Sequence, residues 1–208
     1  MFLHRPARKI LMFSLAIGIS ACTGSSRAQT EAASIDYRVY DAVLDTMQFP
    51  IKDPHIVISD TTLNIGCGDK SNNPVRLNDC GIWSPESAKN QVETVLQQSF
   101  PEMESATWNN LVSRNAMSIK LQDSFQSSWP HQVRDIATKS QEKVWSHPDG
   151  IVLLSQVGFN GKKNEALVYV LFLSYIKQVH TSGNFFLVRM AAANQWKIVE
   201  RATYMEIQ

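Results

Sequence analysis

The residues able to do chemistry fall into a few sets. His131 and Asp135 lie four apart; on a helix they would share a face, where a carboxylate orients an imidazole for proton transfer or metal binding. An exposed helical pair has the same spacing, and a metal needs at least a third ligand. His147 and Asp149 are the nearest candidates, but Pro148 and Gly150 make that stretch a turn. Ser59-Asp60 follows an apolar run, where α/β enzymes place a nucleophile; a serine there needs a base and an oxyanion hole, and no Gly-x-Ser-x-Gly is present. The stretch from Gly158 to Asn164 has glycines and lysines but lacks the Gly-x-x-x-x-Gly-Lys-Ser/Thr of a phosphate loop, so it reads as a solvated hairpin tip. Trp83, Trp108, Trp129, Trp145 and Trp196, with Phe185 and Phe186, pack a core or line a cleft for an apolar or sugar ligand, with Tyr169 and Trp196 as the expected walls. These sets give no catalytic residue, no metal site and no cofactor as expectations.

The start of the chain says where such a domain works. Arg5, Arg8 and Lys9 precede an apolar run from Ile10 to Ile19, the charged start and short greasy middle of an export signal. About ten residues is half of the roughly 20 a membrane-spanning helix needs. Ile19-Ser20-Ala21-Cys22 resembles the lipobox of bacterial lipoproteins, which implies cleavage after Ala21, lipidation of the Cys22 thiol and anchoring to a membrane by that lipid. Thr23 stands where an aspartate would favour inner-membrane retention, so the resemblance implies the outer membrane of the cell envelope. The expected organisation is a signal peptide over 1–21, a small polar tether over 22–33 and one domain over 34–208.

Removing the leader leaves 208 − 21 = 187 residues, enough for one good-sized core. It takes three of the 20 basic residues and none of the 19 acidic ones, so 17 remain against 19 and the net charge is −2. That balance gives no sign of a polyanion-binding surface, and no nucleic-acid partner is expected. Cys67 and Cys80 remain as an even pair without Cys-x-x-Cys spacing; in an oxidising compartment they are expected to form a disulfide.

The elements that must position these residues follow from periodicity. Val39, Tyr40, Val43, Leu44 and Met47 have helical spacing behind Ser34, and Phe49-Pro50 ends that helix. His55 to Ile58 is a short β-branched strand, and Asn64 to Gly81 is a loop by composition. Ser84-Pro85-Glu86 starts a helix that buries Val92, Val95, Leu96 and Phe100. A shorter helix runs from Thr107, Met117 to Leu121 is a weak strand, and Pro130 opens another helix carrying Val133, Ile136, Ala137 and Val144. Ile151 to Phe159 and Ala166 to Leu173 form a hairpin, the second run continuously apolar as in a strand covered on both faces. Phe185 to Met190 and Trp196 to Ile207 form the last hairpin, whose change of parity requires a bulge near Glu200 to Thr203. The expected fold is α+β: a C-terminal four-stranded antiparallel meander with one face roofed by N-terminal and central helices.

Trp145, Gly150 to Asn160, Glu165 to Val170, Ser182-Gly183-Asn184-Phe185 and Trp196-Lys197-Ile198-Val199 resemble a family of uncharacterised secreted bacterial proteins and lipoproteins. Members carry a glycine- and cysteine-rich stretch where this chain has Tyr175 to His180. The order of elements is similar to a cystatin-like or nuclear-transport-factor-like cone, an analogy that implies no activity. The functional expectation is a non-enzymatic envelope lipoprotein that binds a protein partner, in the manner of an inhibitor or immunity protein. A small-ligand or lipid carrier with an internal pocket is the alternative. A hydrolase comes third; it requires a Ser, His or carboxylate cluster that converges in a cleft, and it fails if His131, His147 and His180 lie far apart and none faces a pocket.

Overall fold

A computed structural model of the chain describes residues 35–47, 54–63, 86–136, 148–174, 180–191 and 195–207. The leader, Cys22, the tether, Cys67, Cys80, Trp83, Trp145 and His147 lie outside the described residues.

Ten residues, 35–44, form helix α1. Strand β1 (Ile56–Ser59) follows, then α2 (Glu86–Ser99), α3 (Ser105–Arg114), β2 (His131–Arg134), β3 (Gly150–Leu154), β4 (Gly158–Phe159), β5 (Glu165–Ser174), β6 (His180–Met190) and β7 (Trp196–Ile207). All seven strands join one sheet in the order β2-β1-β3-β5-β6-β7, with β4 paired to β5. The sheet is mixed. β1 runs parallel to both β2 and β3, whereas β3, β5, β6 and β7 pair antiparallel. The fold is therefore α+β, with a parallel portion that an antiparallel meander alone does not contain.

β5 explains the layering. A strand sends alternate side chains to opposite faces, and every residue from Glu165 to Leu171 is buried, so both faces must be covered. Ala166, Val168 and Val170 meet Val39, Tyr40, Val43 and Leu44 of α1, together with Ile56, Ile58, Val152, Leu154, Phe186 and Val188. Leu167, Tyr169 and Leu171 meet Val92 and Leu96 of α2, Trp108 and Leu111 of α3, and Ile151, Leu153, Phe185 and Leu187. Helices thus lie on both faces rather than roofing one.

Other expectations change as well. Residues 131–134 are strand β2, not the start of a helix, because pairing with β1 in the register Ile56↔His131 to Ser59↔Arg134 supplies their backbone bonds; Ala137 and Val144 lie outside the described residues. Residues 117–121 hold only an isolated bridge from Lys120 to Thr61. The run Ile151 to Phe159 breaks into β3 and β4 around Ser155 to Val157, and Val95 is exposed. In the last hairpin β7 spends one residue more than β6 between Leu187↔Glu200 and Val188↔Ile198, and again between Gly183↔Met205 and Asn184↔Thr203. The expected bulge is therefore two irregularities that flank Glu200 to Thr203, returning Ala202 to the face that Trp196 does not share.

Candidate functional site

At the end of the sheet where β5 begins, α3 starts with Glu104 as its N-cap residue, whose own side chain does not cap. The Glu165 carboxylate does so from β5: one oxygen accepts the Glu104 N–H (2.8 Å) and the Thr107 hydroxyl (2.8 Å). Its other oxygen accepts from Arg189 Nε at 3.0 Å and Nη2 at 2.9 Å. A buried carboxylate at the positive end of a helix, with donors on both oxygens, is a satisfied structural anion. Asn160 closes the adjoining turn, accepting the Asn164 N–H and donating to the Glu104 carboxylate at 2.9 Å. Lys163 there has φ 54°, a left-handed conformation for a turn residue.

The same end holds α1 to α3. Asp36 takes two bonds from Arg114, 3.1 Å to one oxygen and 2.7 Å to the other, and Arg114 also donates to the Val157 carbonyl at 2.6 Å. Burial raises the Asp36 pKa above the ordinary carboxylate range, while Arg114 opposes that rise and Lys163 adds a smaller pull in the same direction. The Tyr40 hydroxyl donates to the Ser155 carbonyl at 2.9 Å, and burial pushes its pKa well above the usual 10.0. The Asn115 side-chain amide donates to the Gln156 carbonyl and accepts the Gln156 N–H, while the Gln156 side chain donates to the Arg114 and Met117 carbonyls at the end of α3. These polar groups, all consumed in joining elements, fix where the loops sit.

The residues with chemical potential are placed as follows. The Ser59 hydroxyl donates to the Thr61 carbonyl at 2.9 Å and accepts the Thr61 N–H, a local turn rather than an activated nucleophile. Asp60 accepts the Thr61 hydroxyl and lies 3.4 Å from Lys120 Nζ. His131 stands between the rings of Phe125 and Trp129, with centroids at 5.8 and 5.5 Å, and its Nδ1 is 3.1 Å from both Ser127 Oγ and the Trp129 carbonyl. Because β2 is extended, residues four apart are separated by roughly 13 Å, so His131 and Asp135 do not share the helical face expected of them. His131 and His180 are linked by the cross-strand row His131, Ile56, Gly150, Ser174, His180. Four strand spacings set them about 19 Å apart. Among the described residues no three His, Cys, Asp or Glu side chains gather as metal ligands.

Tyr169 and Trp196 do not form one cleft. Tyr169 belongs to the α2/α3 layer and Trp196 to the α1 layer, on opposite faces of the sheet. Tyr169 packs on Phe185 with centroids 4.7 Å apart, and its hydroxyl occupies the space that a Cβ at Gly183 would fill. That hydroxyl and the Trp196 indole N–H have no hydrogen-bond partner among the described residues. Burial raises the Tyr169 pKa, with a smaller push from Tyr204.

Two surface features had no strong sequence signal. β7 is twelve residues long and ends the sheet order; among the described residues nothing pairs with its outer edge. It exposes Val199, 49% accessible, beside the exposed Lys197, Glu200, Arg201 and Thr203. Following α3, Met117 is 74% exposed and Ile119 41%. Periodicity missed these because exposure of single apolar residues is set by what packs nearby, not by local pattern. No described helix is long and apolar enough to cross a membrane. No family model, curated protein or solved structure matches this chain.

Proposed function

We propose that the chain is a bacterial envelope lipoprotein, anchored through a lipid on Cys22 with the outer membrane favoured, whose domain is a non-enzymatic module for binding another envelope protein or an incoming effector. The observation that supports this most is the long outer edge of β7. Unpaired strand backbone is a template for an added strand, and here it borders one exposed valine set among charged side chains, a surface suited to a protein partner.

The carrier alternative needs the concave sheet of a cystatin-like or nuclear-transport-factor-like cone. Side chains fill both faces of this sheet, and the two residues expected to wall a cleft lie on opposite sides of it. This arrangement favours the interaction reading. A disulfide between Cys67 and Cys80 belongs to the same proposal.

The test is purification of the lipidated chain from gently solubilised envelopes, with mass spectrometry of what accompanies it. The reading expects a stoichiometric protein that is lost from the V199D/R201E variant while the melting temperature stays nearly unchanged, since both side chains are exposed. A companion retained by the variant, or a small molecule without a protein companion, would overturn it.

A further inference from the structure

Resting on the lipid-anchor reading, we propose that one end of the sheet lies against the bilayer, with Met117 and Ile119 entering the lipid headgroup region and Lys120, Lys162 and Lys163 meeting anionic headgroups. The described chain begins at residue 35, which is 35 − 22 = 13 residues after Cys22. Even fully extended, that length reaches at most about 45 Å, which bounds how far the start of α1 can stand from the anchor.

The start of α1 is fixed to one end. Asp36 is bound to Arg114 at the close of α3, and the Tyr37 hydroxyl donates to the Gln122 carbonyl at 2.8 Å and accepts the Gln122 N–H. The segment between those two anchor points, residues 115–121, is the one that exposes Met117 and Ile119. Lys120, 79% exposed at its side chain, lies between them and Gln122. Lys162 and Lys163 form the exposed tip of the adjoining β4–β5 turn, and Lys163 is near enough to act on Asp36. Carboxylates at this end are Asp60, 3.4 Å from Lys120, Glu102, which pairs with Arg189, and the exposed Glu104, which accepts from Asn160; Asp123 lies further along, 3.9 Å from His131. Apolar tips ringed by lysines suit an interface whose interior is apolar and whose surface is anionic. The other end of α1, with Trp129 donating to the Leu44 carbonyl and Met47 just beyond, stands about 15 Å along the helix.

The experiment uses the full lipidated chain carrying ¹³C-methyl methionine in nanodiscs of phosphatidylethanolamine and phosphatidylglycerol, with and without headgroup spin-labelled lipid. Met117→Leu assigns the resonance. We expect the Met117 methyl to lose most of its intensity to the spin label while Met47 keeps its own. A chain that comigrates with the discs but leaves Met117 as sharp as Met47, or broadens both alike, overturns the proposed orientation and leaves the anchor standing. The former result would make Met117 and Ile119 a protein contact instead. A chain that does not comigrate and has an unmodified Cys22 overturns the anchor and the orientation together.

Discussion

The two ends of the sheet are held in different ways. Where β5 starts, two buried carboxylates, Asp36 and Glu165, each face a guanidinium and tie together elements 78 and 24 residues apart. Where β1 starts, the described ties are hydrogen bonds: the Asp149 carboxylate accepts the His55 N–H at 2.7 Å, the Asp149 N–H donates to the His55 carbonyl at 2.8 Å, and the Trp129 indole donates to the Leu44 carbonyl at 2.9 Å. Charged pairs that bury their partners fix loop positions without apolar packing, so the first end can present Met117 and Ile119 to its surroundings without loosening. The second end presents a polar rim around His180 and Ser182.

Removing the strongest of these ties should break the contrast. Glu165→Ala strands Arg189 and uncaps α3, and a loss of about 3 kcal/mol is expected in denaturant unfolding. A loss as small as that of an exposed substitution would show that the carboxylate does not organise this end. Arg114→Met leaves Asp36 buried beside an apolar chain and should cost about 2 kcal/mol near neutral pH.

The pH dependence sharpens that second case. Asp36 has its folded pKa raised by burial, so the folded state holds a proton that the unfolded state has released. Its contribution is therefore fully present below the unfolded value of 3.8 and is lost as pH rises through the folded value. Without Arg114 to oppose the rise, the decline should extend to higher pH and become larger. An identical stability profile for wild type and variant between pH 4 and 7 would contradict the pairing. At the opposite end Asp149→Ala removes one hydrogen bond and should cost only about 1 kcal/mol. A cost equal to that of Glu165→Ala would erase the distinction between the ends.

Legibility in the sequence followed the source of each element's stability. The α1 face of Val39, Tyr40, Val43 and Leu44 and the runs that became β5, β6 and β7 were readable because burial imposes a period on neighbouring residues. β2 was not, since His131-Gln132-Val133-Arg134 has little intrinsic strand preference and depends on a partner 75 residues earlier, Ile56↔His131. The parallel pairing of β1 with β3 is equally non-local, which is why an antiparallel meander alone was expected. Glu165, a charged residue opening an apolar strand, carries no local signal of its role. Its partners, Glu104, Thr107 and Arg189, come together only in the fold. Tyr169 and Trp196 were expected to wall one cleft as aromatics of one sheet, but their β6 partners, Phe185 and Met190, are five residues apart and so face opposite sides.

Hydrogen exchange of the full lipidated chain, compared between detergent micelles and vesicles of phosphatidylethanolamine and phosphatidylglycerol, tests the two-ended account most directly. The account predicts that amides of residues 117–120 and 161–163 slow on vesicles, while those of 149–150 and 180–182 exchange as they do in micelles. Slowing at the His180 end, or equal slowing at both, would contradict it.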